Sequence, residues 1–209
     1  MPAFVQPLLD LLGKDIELDD PTAALIAANA RPVKIAKGAL LLNAGEVCKD
    51  IYFIHEGKAI SYFTDYNGKS TTWFFHYNRP DAPVKHLFAV DYRSFLSGVP
   101  SRMSIQALTD ITAVRISNEA IDLLLKQSGS FGVWLRKLHE KSLVIAYDRI
   151  ACLLTASATE RYQLFLKDES YLLDMFSNYF IATYLNVTPQ SLSRIRKGLA
   201  GAESPKPMS

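Results

Sequence analysis

From Arg31 to about Ile116 the apolar positions of this chain recur close to every second residue, and beyond Ile116 they recur every third and fourth. In the first part Pro32–Ala36, Ala39–Leu42, Ile51–His55, Lys58–Thr64, Ser70–His76 and Ile111–Ile116 have the alternation and the β-branched and aromatic content of strands. Lys37–Gly38, Ala44–Gly45, Glu56–Gly57 and Asn67–Gly68 punctuate them. Asn67–Gly68 predicts a tight two-residue hairpin between KAISYFT and KSTTWFF, because both residues accept positive φ. Short strands at this spacing predict a β-sandwich or jelly roll. Ahead of them, the Phe4–Leu12 run reads as a small amphipathic helix with Asp10, Lys14 and Asp15 in or near its polar part.

Past Ile116 the pattern is helical. Ser117 or Asn118 can cap a helix over Glu119–Gln127, Ser128–Gly129–Ser130 breaks it, and a long helix runs from about Phe131 to Leu154. Along it Leu135, Leu138, Ser142, Ile145, Arg149 and Cys152 alternate in steps of three and four, the spacing of a coiled-coil seam. Two readings fit this stripe: a homodimer interface carried by Leu135, Leu138, Ser142 and Ile145, or a helix packed on its own domain. A further helix, Ala158–Lys167, leads to the segment NYFIATYLNVTPQSLSRIRK.

That segment, Asn178–Lys197, fits two short helices joined by a tight turn. Ile181, Ala182 and Leu185 form an apolar face, and Ala182 is small where a second helix must cross closely. Asn186 suits a left-handed turn residue, Thr188 an N-cap, and Pro189 the first helical position. Leu192 and Ile195 then point inward, while Gln190, Ser191, Ser193, Arg194, Arg196 and Lys197 face outward. No acid interrupts the stretch from Thr188 to Gly198. This is the pattern of a helix-turn-helix whose second helix enters the major groove of double-stranded DNA. The plainer alternative is a helical hairpin with a solvated basic face, in which Thr188 and Ser191 are simply capping residues.

Composition narrows the partners. The chain has 209 residues, 49% hydrophobic and 21% charged, as expected of a globular protein of one or two domains. A formal net charge of +2 is too small for overall attraction to nucleic acid, so binding must rely on a local patch, doubled by dimerisation. Two distant cysteines, Cys48 and Cys152, suggest a reduced cytoplasmic protein, and are too few for a cysteine-ligated cluster or a zinc finger. The apolar N-terminal run is too short to span a membrane, and no membrane partner is expected. Catalytic motifs fail. Gly68-Lys69-Ser70 ends like a phosphate loop, but Phe63 stands where its first glycine belongs; His55-Glu56 and His139-Glu140 meet Ala59 and Leu143 instead of a second histidine. An enzyme is not expected, nor a bound cofactor or metal. His76 and His86 are the histidines to consider as haem ligands, though a lone histidine among aromatics is usually structural. The aromatics Tyr62, Phe63, Trp73, Phe74, Phe75 and Phe88 either line a pocket or form the roll's core.

Taken in order, KGALLLNAGEVCKDIYFIHEGKAISYF with turn positions Gly38, Gly45 and Gly57, then the long helix, then IATYLNVTPQSLSRIRK with its Ser193-Arg194-Ile195, resemble the bacterial Crp–Fnr superfamily of transcription regulators over nearly the whole chain. The resemblance implies an α+β protein: a cyclic-nucleotide-binding-like double-stranded β-helix or jelly roll (1–127), a dimerisation helix (128–156), a helix-turn-helix domain (157–201) and a disordered tail (202–209). It implies a cytoplasmic homodimer that regulates transcription by reading a two-fold-symmetric DNA site. By the same resemblance Pro189, Gln190, Ser193 and Arg194 approach bases or adjacent phosphates; Thr188 and Ser191 lie in the first turn and Lys197 supplies charge. Gln190 suits adenine and Arg194 guanine. The phosphate cassette of cyclic-nucleotide-binding members, Gly-Glu before a helix and Arg-Ser/Thr-Ala after it, is not matched in Pro83–Leu108, where Arg93 and Arg102 are the candidate anion ligands. Control by cyclic AMP in the usual way is therefore not expected, and a small-molecule effector is left open. The stretch beyond the second helix is too short for a hairpin wing, so phosphate contacts are expected from elsewhere. The alternative function is a ligand-sensing β-roll that regulates a protein partner, with a degenerate helix-turn-helix that does not bind DNA.

Overall fold

The computed structural model describes residues 1–80 and 84–202. Along them run α1 (Gln6–Gly13), α2 (Asp20–Asn29), β1 (Arg31–Ile35), β2 (Leu40–Leu42), β3 (Asp50–Glu56), β4 (Lys58–Thr64), β5 (Ser70–Tyr77), α3 (Val84–Leu87), β6 (Phe88–Ala89), α4 (Tyr92–Ser97), β7 (Met103–Ala107) and β8 (Ile111–Ser117). The helices α5 (Asn118–Gln127), α6 (Gly129–Thr155), α7 (Ala158–Glu169), α8 (Leu172–Met175), α9 (Asn178–Tyr184) and α10 (Pro189–Ala202) follow. The fold class is α+β, with a jelly-roll arrangement of strands as expected. Among the described residues the strands form two four-stranded sheets, ordered β1-β8-β3-β6 and β2-β7-β4-β5. The expected tail, 202–209, lies outside the described residues apart from Ala202, which ends α10, and Pro83 of the cassette region lies outside them as well.

The chain divides into two compact units. One comprises Met1–Phe63 and Trp73–Ile145; the other comprises Thr64–Thr72 and the chain from Ala146 onward, so the boundary falls inside α6. In the first unit, alternate residues of β3 and β8 meet the apolar faces of α1, α2, α5 and the start of α6 in one core: Leu8, Leu12, Ile26, Ile51, Val114, Ile121, Leu124, Phe131 and Trp134 are all buried. The missed helix α2 begins at Asp19, whose carboxylate accepts the Thr22 N–H at 2.7 Å. Ser128 both closes α5, through its N–H to the Leu124 carbonyl, and opens α6 by accepting the Phe131 N–H on its hydroxyl. The expected three-residue break thus shrinks to one residue.

Two turns show why their glycines are there. Gly57 has φ 95°, and a Cβ on it would collide with the Asp110 carbonyl. At the β4–β5 hairpin the Asp65 N–H meets the Lys69 carbonyl at 3.0 Å, leaving a three-residue loop, Tyr66-Asn67-Gly68, in which only Gly68 takes positive φ. The two-residue turn is corrected accordingly. Asp65 explains the difference, since its side chain accepts the N–H groups of Asn67 and Lys69 and locks the longer loop.

The seam read along α6 is also corrected. Leu135 and Leu138 are 6% and 4% exposed and lie in the first unit's own core, and Ser142 donates back to the Leu138 carbonyl within the helix. Ile145 is half-buried. A different stripe is open to solvent: Leu143, Tyr147, Ile150 and Leu154, exposed by 69%, 73%, 47% and 80%. Their steps of four, three and four are again those of a coiled-coil seam. A repeat of three and four fits either stripe of one helix, and only the tertiary packing reveals which one the protein keeps for itself.

Candidate DNA-binding and effector sites

The turn between α9 and α10 forms as its residues dictate. Ile181 and Ala182 are fully buried, Leu185 nearly so. The chain then reverses at Asn186, whose φ of 53° is positive, while the Val187 N–H reaches back to the Ala182 carbonyl at 2.9 Å. Thr188 caps α10 by accepting the Ser191 N–H on its hydroxyl at 3.1 Å, Pro189 opens the helix, and Leu192 seals it inward at 1% exposure. Thr188 also donates to the Ser191 hydroxyl, so both are engaged in the cap. Gln190, Ser193, Arg194 and Lys197 are exposed and, at positions i, i+3, i+4 and i+7, share one face; Pro189 and Ser191 are half-buried beside it.

Arg196 departs from the outward set. It is half-buried, donates from Nε to the Tyr162 hydroxyl at 3.0 Å and from Nη1 to Asn178 Oδ1 at 2.8 Å, and lies 5.5 Å from the Tyr162 ring centroid. Sequence reasoning missed it because a basic residue among basic residues reads as solvated. Arg161 is a second internal arginine, donating to the Leu185 and Ala156 carbonyls at the turn. Behind the turn Arg149 stacks 3.8 Å from the Tyr184 ring centroid and donates to the carbonyls of Thr72 and Tyr184, and Tyr184 donates to Glu169 at 2.8 Å. Burial pushes the Tyr184 phenol above its ordinary range and the Arg149 guanidinium below its own.

In the β-roll the candidate anion ligands Arg93 and Arg102 are both exposed, with Arg93 within 3.4 Å of the Pro100 carbonyl. The buried polar groups at this place are others. Asp91 caps α4 with one carboxylate oxygen, accepting the Arg93 N–H at 3.0 Å, and its second oxygen accepts the Ser101 hydroxyl at 2.7 Å. Ser94 donates to the Val99 carbonyl and accepts the Cys48 N–H. Tyr92 meets the His139 ring edge-on at 5.3 Å, and burial holds its phenol at about 12, a hydrogen bond from Ser142 notwithstanding. His76 and His86 are core residues at 3% and 0% exposure: His76 pairs with the Ser61 hydroxyl at 3.2 Å, and His86 with the Phe75 carbonyl at 2.8 Å while stacking on Tyr77. Phe75 and Phe88 are in the core, Tyr62, Trp73 and Phe74 are half-buried, and Phe63 is 38% exposed.

Residues 32–128 match the cyclic nucleotide-binding domain family. The wider chain shares its fold with solved structures. FixK2 from Bradyrhizobium japonicum superposes with a TM-score of 0.68 at 19% identity, over 83% of this chain and 85% of that one. A CooA mutant from Carboxydothermus hydrogenoformans gives 0.69 at 16%, over 93% and 84%. A protein assigned to the crp/fnr family of transcriptional regulators, from Eubacterium rectale, gives 0.67 at 16%, over 89% and 85%. Comparison of the sequence with the curated proteins finds no match. Among the described residues no helix is long and apolar enough to cross a membrane.

Within residues 32–128, helix α4 is preceded by Val90-Asp91 and followed, after Gly98, by Ser101-Arg102. An acid in this place needs a cationic partner before a phosphate can approach it. Asp91 instead has the neutral Ser101, and Arg93 and Arg102 are exposed. The Asp91–Ser101 pair, ten residues apart, was not read from the sequence; the Asp-Tyr-Arg start of α4 with Gly98 at its left-handed end was the available signal.

Proposed function

We propose that this protein is a sequence-specific DNA-binding transcription regulator acting as a homodimer. The observation that carries this reading is the α10 face. Gln190, Ser193, Arg194 and Lys197 present one acceptor-and-donor amide, one hydroxyl and two cations to solvent from the first three turns of a helix whose turn and cap are built as in a groove-reading helix-turn-helix. Gln190 is suited to adenine and Arg194 to guanine. The exposed stripe Leu143, Tyr147, Ile150 and Leu154 supports pairing of two copies along α6. Two recognition helices roughly 34 Å apart would then read an inverted repeat.

Cyclic AMP is not the controlling ligand on this reading, because at the cassette position the Asp91 carboxyl group is bonded to the Ser101 hydroxyl and not to an arginine. Selection of bound duplexes from a random library, with no nucleotide added, tests the proposal: an enriched inverted repeat supports it, and no enrichment with or without cyclic AMP and cell extract removes it. In a titration at fixed salt, Arg194→Ala should cost about tenfold or more in affinity and relax preference at one position of each half-site. Unchanged affinity would overturn the assignment of Arg194.

A further inference from the structure

We propose that Arg196 is a positioning residue: it sets the angle of the recognition helix, and with it sequence preference, without touching DNA. The inference rests on the DNA-binding reading above. The inward side of α10 is formed by Leu192, Ile195, Arg196 and Leu199, positions i, i+3, i+4 and i+7, and all four are buried or half-buried. A helix packed on apolar neighbours would carry a leucine-like residue at the third of these. An arginine there costs desolvation, which only specific partners offset. Arg196 has two of them on two different elements. Its Nε is bonded to the hydroxyl of Tyr162 in α7 and its Nη1 to the side-chain oxygen of Asn178, the first residue of α9. Its Nη2 is buried with no acceptor. The guanidinium is planar and its donors are fixed in direction, so bonds to two elements constrain rotation as well as distance. Apolar contacts at Leu192 and Ile195 permit sliding and rocking that these bonds forbid. The exposed face bearing Gln190 and Arg194 is thereby held at one angle to the rest of the helix-turn-helix.

The same geometry removes Arg196 from the set of phosphate contacts, since its donors point into the protein. Three roles then separate experimentally. Wild type, Arg196→Met and Tyr162→Phe are compared for binding to the selected site and to an unrelated duplex across a salt series, at a temperature where circular dichroism shows each protein folded. Tyr162→Phe keeps the ring and deletes only the acceptor, so it serves if Arg196→Met does not fold. The expected result is a loss of about tenfold in affinity for the selected site in either variant, an unchanged affinity for the unrelated duplex and an unchanged slope of log affinity against log salt. A slope reduced by about one per protomer in Arg196→Met, with both duplexes weakened, would show a phosphate contact and overturn the proposal. Unchanged binding to both duplexes in the folded variants would leave Arg196 a stability residue only and overturn it equally. Absence of any selected site for wild type would be the failure of the DNA-binding reading itself.

Discussion

Acidifying the protein from pH 7 to pH 5 should destabilise the β-roll chiefly through His76. Its ring is 3% exposed, held by Ser61 on one side and close enough to His86 for the two to oppose each other's charge. Burial, and then His86, pull its pKa from 6.5 down to about 3, against a weaker raising contribution from the Phe88 backbone. The unfolded chain takes up a proton below about 6.5, whereas the folded chain does not until about 3. The unfolded state therefore binds more protons throughout that window, and stability falls as pH falls through it. Each tenfold rise in proton concentration below 6.5 costs about 1.4 kcal/mol. By pH 5 the loss is about 2 kcal/mol, and at the lower end of the window about 5 kcal/mol.

The control is His76→Gln, which keeps a hydrogen-bonding group for Ser61 and does not titrate. Urea unfolding of both proteins, followed by tryptophan fluorescence at half-unit steps between pH 7.5 and 5, gives two stability curves. Groups remote from His76 contribute equally to both, so the difference between the curves reads His76 together with its coupling to His86. That difference should shift by about 2 kcal/mol in favour of the variant between pH 7 and pH 5. Parallel curves would refute the argument and mean that the ring either accepts its proton inside the fold or is not buried in solution.

Three other outcomes are expected. Ile150→Glu or Leu154→Glu, placed on the exposed α6 stripe, should convert a dimer to a folded monomer in sedimentation velocity and abolish binding to the inverted repeat, whereas Glu substitution at Leu138, in the protein's own core, should lower the folding yield instead. Gly57→Ala should cost about 1–3 kcal/mol, seen as a lower Tm, because the residue holds φ at 95° and its new methyl would meet the Asp110 carbonyl. Arg194→Ala should lower the salt dependence of binding if Arg194 also reaches a phosphate, and should leave it unchanged if its contacts are to bases alone.

What could be read in the sequence was local. Asn186, Thr188 and Pro189 specify their turn by their own backbone preferences, and the left-handed Asn186, the cap and the helix start appear where those preferences put them. Strand β4 has the predicted limits, and β3 and β8 extend theirs by a residue or two, because one face of each is buried and the alternation survives. Strand β7 escaped notice although Met-Ser-Ile-Gln-Ala alternates apolar and polar residues: it is only five residues long, too short for the alternation to stand out. Helix α2 is rich in alanine and only weakly two-faced, and its signal was the Asp19 cap with Pro21 in the first turn.

The two misread features of the candidate site, the α6 stripe and Arg196, have a common cause. Each depends on which of two chemically acceptable faces the protein turns toward itself. On α6, Leu135 and Leu138 offer as good a seam as Ile150 and Leu154, and the choice is made by Leu8, Ile51, Phe88 and Ile121, which come from other elements of the first unit's core. On α10, Arg194, Arg196 and Lys197 are alike as residues, and the choice is made by Tyr162 and Asn178, 34 and 18 residues away. Charge identity therefore predicts the partner only after the surroundings are known. Two of the three cations in that helix remain available to DNA, and a salt slope that counts all three would contradict the placement of Arg196.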